Sequence, residues 1–162
     1  MAKEVERKFL VKDEGWRATA RDAVSIRQFY LADARGDRSF RVRLKGGSSA
    51  TLTLKFGGHV LVRDEFDYPI PLEDAQALEA FAAGRIIKKT RHLVDHEGVV
   101  FEVDVFSGAL EGLVVAELET TRLVPDEALP AWIGREITGE AAYYNASLAF
   151  AAAPAATGTA AS

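Results

Sequence analysis

Most of this chain is written with a period of two, in which one set of alternate residues is ionic and the other apolar. Glu4, Glu6 and Lys8 share one set and Val5 and Phe9 the other. Arg41, Arg43 and Lys45 alternate with Val42 and Leu44, and Thr51, Thr53 and Lys55 with Leu52 and Leu54. Arg63, Glu65 and Asp67 oppose Val62 and Phe66, Lys89 and Arg91 share a face, Glu102 and Asp104 oppose Phe101, Val103 and Val105, and Glu117 and Glu119 oppose Ala116 and Leu118. A period of two places successive side chains on opposite faces of a β-strand. The pattern predicts eight strands over 3–12, 24–32, 38–46, 50–57, 61–69, 85–95, 99–107 and 113–122. Turn residues separate them at Gly36-Asp37, Gly46-Gly47-Ser48-Ser49, Gly57-Gly58, Glu97-Gly98 and Gly108. Eight strands joined mostly by short turns make an antiparallel barrel or sandwich.

Helical stretches interrupt the strands. Pro71-Leu72-Glu73-Asp74 opens one that runs to about Ala83 and stops at Gly84. Asp126 to Ile133, Ala141 to Phe150 and a short turn around Trp16 within 13–22 are further candidates. The Ala-rich tail over 151–162 is expected to be disordered, leaving one domain over 1–150.

The ionic faces have two readings. A solvated outer face around an apolar core is the ordinary one. Two features favour the reverse. Like signs cluster, as in Arg41-Val42-Arg43-Leu44-Lys45, whereas a merely soluble surface mixes its signs. The helices are also amphipathic and need apolar sheet surface to cover. Helices lying outside would turn the apolar faces outward and the ionic faces into the lumen. Burying that many charges dry is prohibitive, so such a lumen must be wet and occupied. A multiply charged anion satisfies the cations and a divalent ion the carboxylates, with hard oxygen ligands favouring magnesium, manganese or calcium.

Composition narrows the partners. The net charge is −4 at pH 7 with a pI of about 5.4, unlike the basic balance of a general nucleic-acid binder. There is no cysteine, which removes disulfides and thiolate metal sites and fits a reducing, cytoplasmic setting. No apolar run approaches the length needed to span a bilayer, and the charged first residues do not read as a signal peptide.

The ionic residues also carry a resemblance. Glu4-Val5-Glu6-Arg7-Lys8 resembles the ExExK signature of the CYTH domain, the superfamily of triphosphate tunnel metalloenzymes. Ile26-Arg27-Gln28-Phe29-Tyr30, Arg41-Val42-Arg43, Thr53-Leu54-Lys55, Arg63-Asp64-Glu65, Lys89-Thr90-Arg91, Asp104-Val105-Phe106 and Glu117-Leu118-Glu119 follow in the family's order. Glu136-Ile137-Thr138-Gly139 and Tyr144-Asn145-Ala146-Ser147-Leu148-Ala149 resemble the ending of short bacterial members. The resemblance implies a mainly β (α+β) fold, an eight-stranded antiparallel β-barrel with a charged lumen and helices packed outside. It implies a divalent-metal-dependent hydrolase of triphosphates, with inorganic tripolyphosphatase leading. Thiamine or nucleoside triphosphatase and adenylate cyclase are enzyme alternatives, and a polyphosphate- or nucleotide-binding module is the non-enzyme alternative. By the resemblance, Glu4, Glu6, Glu117 and Glu119, with Asp104 as a further candidate, hold Mg²⁺ or Mn²⁺. Lys8, Arg41, Arg43, Lys55, Arg63, Lys89 and Arg91 hold phosphate oxygens, and Lys89 with Tyr30 forms a lysine–tyrosine pair that activates water. Phe29 stands where relatives often carry glycine and is expected to narrow the space beside Tyr30. A small-molecule triphosphate is the expected partner, with no nucleic acid or membrane, and a homodimer is expected over apolar outer surface that the helices leave bare.

Other features read as structural. His92 and His96 would make a metal pair on a helix, but their segment reads as a strand. Arg35, Arg38, Arg41 and Arg43 lack the aromatic interleaving of a nucleic-acid patch. Trp16 and Trp132 read as packing residues, and Asn145-Ala146-Ser147 is a glycosylation sequon without meaning in a cytoplasmic protein.

Overall fold

The structure is a computed structural model that describes residues 5–57 and 64–154. The strands are β1 (Val5–Val11), β2 (Ala20–Tyr30), β3 (Arg38–Lys45), β4 (Ser49–Phe56), β5 (Asp64–Ile70), β6 (Ala83–His96), β7 (Val99–Ser107), β8 (Val114–Thr120) and β9 (Ile133–Glu136). They form one sheet in the order β5-β4-β3-β2-β6-β7-β8-β1-β9, with every neighbouring pair antiparallel. The expected eight strands are present and a ninth, β9, joins the edge of β1. Among the described residues β5 and β9 end the sheet without pairing, so the sheet curls around its lumen as an open tunnel wall rather than a fully closed barrel. The short β9 lies partly in the stretch expected to be helical, where a 3₁₀ turn covers only Asp126–Ala128. With only four residues, β9 is too brief for its alternation to stand out.

Two α-helices accompany the sheet, α1 (Leu72–Leu78) and α2 (Asn145–Phe150), each next to a 3₁₀ turn, at Glu79–Phe81 and Ala141–Tyr143. Another 3₁₀ turn, Gly15–Thr19, buries Trp16 as expected. The β6–β7 hairpin turns on Glu97 and Gly98, both at positive φ (47° and 81°), the conformation that matches the twist of paired strands.

The apolar alternate residues form two outer clusters. Phe29, Val42, Leu44 and Ala50 pack beneath α1, against Ala75, Leu72 and Leu78. Phe9, Val11, Phe101, Val103, Ala116 and Leu118 pack against Trp16 and Trp132. This is the inverted arrangement: apolar faces outward under helices and turns, ionic faces inward. Phe29 is fully buried under α1, on the opposite face of β2 from Tyr30. It therefore does not narrow the space beside Tyr30.

The expectation that all helices lie outside fails for α2. Leu148 and Ala149 join Leu10, Tyr30, Ile87, Phe106 and Val115, which belong to the inward-facing sets. The reason is a change of character along the inner face. Lys8 gives way to Leu10, Lys89 to Ile87, Asp104 to Phe106 and Glu117 to Val115, so one end of the lumen is apolar and needs a cover. Gly84 makes room for it. At φ +72°, a Cβ there would stand 2.7 Å from the Ala149 carbonyl oxygen and the Phe150 ring. Arg85 then donates to the carbonyl oxygens of Leu148 and Ala151 at 2.6 and 3.0 Å, a cation at the helix C-terminus.

Candidate functional site

The inward faces enclose a cavity of about 680 Å³. Lys8, Arg41, Arg43, Lys55, Lys89, Arg91, Tyr30, Glu6, Asp104, Glu117 and Glu119 all line it. Glu4 and Arg63 lie outside the described residues. Every other residue expected at the site faces the one cavity, and the register explains why. Tyr30 stands opposite Arg41, Arg41 opposite Thr53, Lys8 opposite Glu117 and Arg91 opposite Asp104, and directly paired residues share a face.

The charge is segregated across the sheet. The wall of β3 and β4 presents Arg41, Arg43 and Lys55. The wall of β7, β8 and β1 presents Glu102, Glu117, Glu119 and Glu6. Between them, β6 and β7 meet in a seam of ion pairs. The Lys89 ammonium lies 2.8 Å from Asp104 Oδ2. The Arg91 guanidinium donates from Nε and Nη2 to both Asp104 oxygens at 2.8 and 3.0 Å, and Nη1 reaches Glu102 at 2.8 Å. Lys89 and Asp104 are both nearly inaccessible, at 5% exposure each. Burial depresses the Lys89 ammonium to about 8; Asp104 works against that fall, while Arg91 and Arg43 add to it.

The carboxylate wall has the character of a cation site. Glu6 and Glu119 are directly opposed across β1 and β8, and Glu117 is beside them. One oxygen from each of the three lies within 4.8 Å of the others. Like charges set opposite one another are destabilising by themselves. Burial first, and then Glu6, pushes the Glu117 carboxyl above its ordinary range, with Lys8 and Arg91 partly offsetting. Hard oxygen donors at this spacing fit a divalent ion such as Mg²⁺ or Mn²⁺. Asp104 does not belong to this trio. It is the counter-ion of Lys89 and Arg91.

Lys89 and Tyr30 line the same cavity; Lys89 stands opposite Ile26 on β2, and its ammonium goes to Asp104. Burial raises the Tyr30 phenol above its usual range, although Arg41, through its charge and a side-chain hydrogen bond, and then Arg43 pull the other way. A phenol held protonated is a hydrogen-bond donor rather than a base. Arg43 is depressed to about 10, by burial first and then by Arg41 and Arg91. Arg41 Nε is buried with no hydrogen-bond partner among the described residues. Among the described residues Arg41 and Arg43 are therefore under-compensated, as cations built to meet an anion would be.

The site also contains residues outside the expected set. Glu102 holds Arg91, and Arg38 lines the cavity while well exposed. Gln28 is wholly buried behind Arg43. Glu102 shares its strand face with Asp104, and Gln28 with Tyr30, so the period of two was sufficient to find both. Glu65 stands opposite Lys55 on exposed β5. Within the His92–His96 pair, the His92 ring lies tilted against Trp16 with centroids 5.0 Å apart and His96 meets the Ala128 carbonyl, so the two do not form a metal-ligand pair.

Known proteins are similar to this chain over nearly its whole length. The chain is 39% identical over 153 residues to an inorganic triphosphatase of Acetivibrio thermocellus, covering 91% of this chain and 94% of that protein. It is 35% identical over 153 residues to an inorganic triphosphatase of Nitrosomonas europaea, covering 90% and 96%. The crystal structure of an inorganic triphosphatase superposes with a TM-score of 0.71 at 30% identity, covering 95% of this chain and 99% of the other. The model of the CYTH domain matches residues 2–149. Nearly the whole chain thus aligns with one family in sequence and in fold, and the protein belongs to the CYTH domain family.

Proposed function

We propose that the protein hydrolyses inorganic tripolyphosphate to pyrophosphate and phosphate, with Mg²⁺ or Mn²⁺ as cofactor. The observation that carries this reading is the segregation of charge across one cavity: cations that lack full compensation face a trio of crowded carboxylates. The names of the relatives support it. Arg41, Arg43 and Lys55 bind the phosphate chain, the arginines through forked donors and the lysine as a point charge. Arg63 is assigned the same role by its motif. Lys8, within the carboxylate wall opposite Glu117, and Arg91, in the seam between the walls, neutralise oxygens nearest the carboxylates. Glu6, Glu117 and Glu119, joined by Glu4 on the motif alone, hold the divalent ion. When bound, that ion supplies charge stabilisation to the phosphoryl group being transferred. Lys89, poised near pH 8, takes the proton of the attacking water, and Tyr30 donates a hydrogen bond within the same cavity.

The test is phosphate release from tripolyphosphate, pyrophosphate, ATP and thiamine triphosphate, with each ion and with EDTA. Tripolyphosphate is expected to be cleaved fastest, and only with added metal. Faster turnover of ATP or thiamine triphosphate would move the assignment to the organic triphosphatases. Full activity in EDTA would remove the metal.

The lack of cysteine supports a cytoplasmic location, and no helix among the described residues is long and apolar enough to cross a membrane. The expected homodimer is assigned to the outer face of β5, where Phe66 and Tyr68 are 46% and 50% exposed. Light scattering tests it: Phe66→Glu is expected to leave a monomer, and a monomeric wild type removes the assignment.

A further inference from the structure

We infer that Gln28 is a positioning residue for phosphate binding, a neutral acceptor that fixes the Arg43 guanidinium while leaving its whole positive charge to the lumen. The inference rests on the reading of the cavity as a phosphate site.

Gln28 is completely buried. It stands directly opposite Arg43 across β2 and β3, with Ile87 of β6 on its other side. Its Oε1 accepts a hydrogen bond from Arg43 Nε at 2.9 Å. That bond sets the amide's orientation, since exchanging oxygen and nitrogen would set a donor against a donor. Bonding through Nε, at the root of the guanidinium, leaves the two terminal nitrogens free to point at an anion.

The choice of an amide is informative because it has a cost. Gln28 Nε2 is buried without a hydrogen-bond partner among the described residues. A residue needed only to fill this space would carry no polar atoms. A residue needed only to anchor an arginine would be a carboxylate, as elsewhere in this protein. Arg7 is held by Glu136 and Asp126, Arg27 by Glu79, and Arg91 by Asp104 and Glu102. In each of those the anchor cancels the charge. Among the described residues Arg43 has no ion-pair partner, and this half-buried cation has a pKa depressed to about 10, by burial first and then by Arg41 and Arg91. Gln28 gives it direction without a counter-charge.

The experiment compares wild type, Gln28→Glu and Gln28→Met by steady-state kinetics on tripolyphosphate with Mg²⁺, and adds Arg43→Ala alone and combined with Gln28→Glu. Gln28→Glu keeps the shape and the acceptor but introduces the counter-charge, and Gln28→Met keeps the volume but removes the acceptor. Both are expected to raise KM about tenfold or more with kcat changed by less than about threefold, because the interaction holds ground and transition states alike. In the Arg43→Ala background Gln28→Glu is expected to add nothing to KM. Unchanged KM in Gln28→Glu, or a full additional rise in the Arg43→Ala background, overturns the inference. So does a Gln28→Glu protein that fails to fold, because the inference requires that carboxylate to pair readily with Arg43. If Gln28→Met alone fails to fold, Gln28→Glu and the double variant decide. A wild type inactive on tripolyphosphate counts against the functional reading, whereas an active wild type with an indifferent Gln28 counts against this inference alone.

Discussion

Lys89 and Glu117 show how the environment of single residues sets the chemistry. Lys89 begins to lose its proton near pH 8, well below a free lysine, because its burial outweighs the help of Asp104. If it takes the proton from water, kcat rises as pH passes through that value. Asp104→Asn removes the group that holds the pKa up, so the limb is expected to move to lower pH; an unmoved limb would assign it to another group. The sign for stability is the same. Between about 8 and the ordinary lysine value the unfolded chain holds the proton and the folded chain does not, so Lys89 adds stability as pH rises through that window. Glu117 is opposite in kind. Its raised pKa means that its charged form is disfavoured in the folded protein, so its contribution is lost as pH rises through the folded value. A divalent ion relieves that cost. Mg²⁺ is therefore expected to raise the melting temperature at neutral pH and much less at pH 5. Glu119→Gln is expected to abolish the rise and cut activity about 10²-fold or more. Tyr30→Phe should lower kcat about 10²-fold with little change in KM if the phenol acts only in the transition state.

At the scale of elements, the alternation in the sequence was a sufficient guide wherever a strand was long. β3, β4 and β7 fall where their ionic and apolar sets put them, and the inward turn of Arg41, Arg43 and Lys55 follows from like charges sharing a face. What the pattern hid was local. β9 has four residues, too few to display a period. The role of α2 depended on reading along the inner face rather than across it: Leu10 after Lys8 and Phe106 after Asp104 mark where that face turns apolar. Asp104 lies in register with Arg91, a pairing that residue type alone does not reveal. The docking of α2 makes Gly84 sensitive. Gly84→Ala places a methyl against Ala149 and Phe150 at a positive φ. It is expected to cost about 1–3 kcal/mol in urea unfolding, with α2 displaced. Unaltered stability would mean that α2 is held mainly by Arg85.

At the scale of the whole molecule, the distances along the chain between partners of opposite and like charge differ sharply. Lys89, Arg91, Asp104 and Glu102 belong to the two arms of one hairpin, joined by Glu97 and Gly98, whereas Glu6 must meet Glu117 and Glu119 from the far end of the domain. Loop closure makes the first meeting fast and the second slow. Attraction is thus assembled early, by local contacts, and repulsion is left for the step at which β1 docks on β8, a strand far from it along the chain. A divalent cation is then a participant in the folding kinetics. Its expected signature is slower unfolding in Mg²⁺, with the β1–β8 seam as the first place where a metal-starved molecule opens.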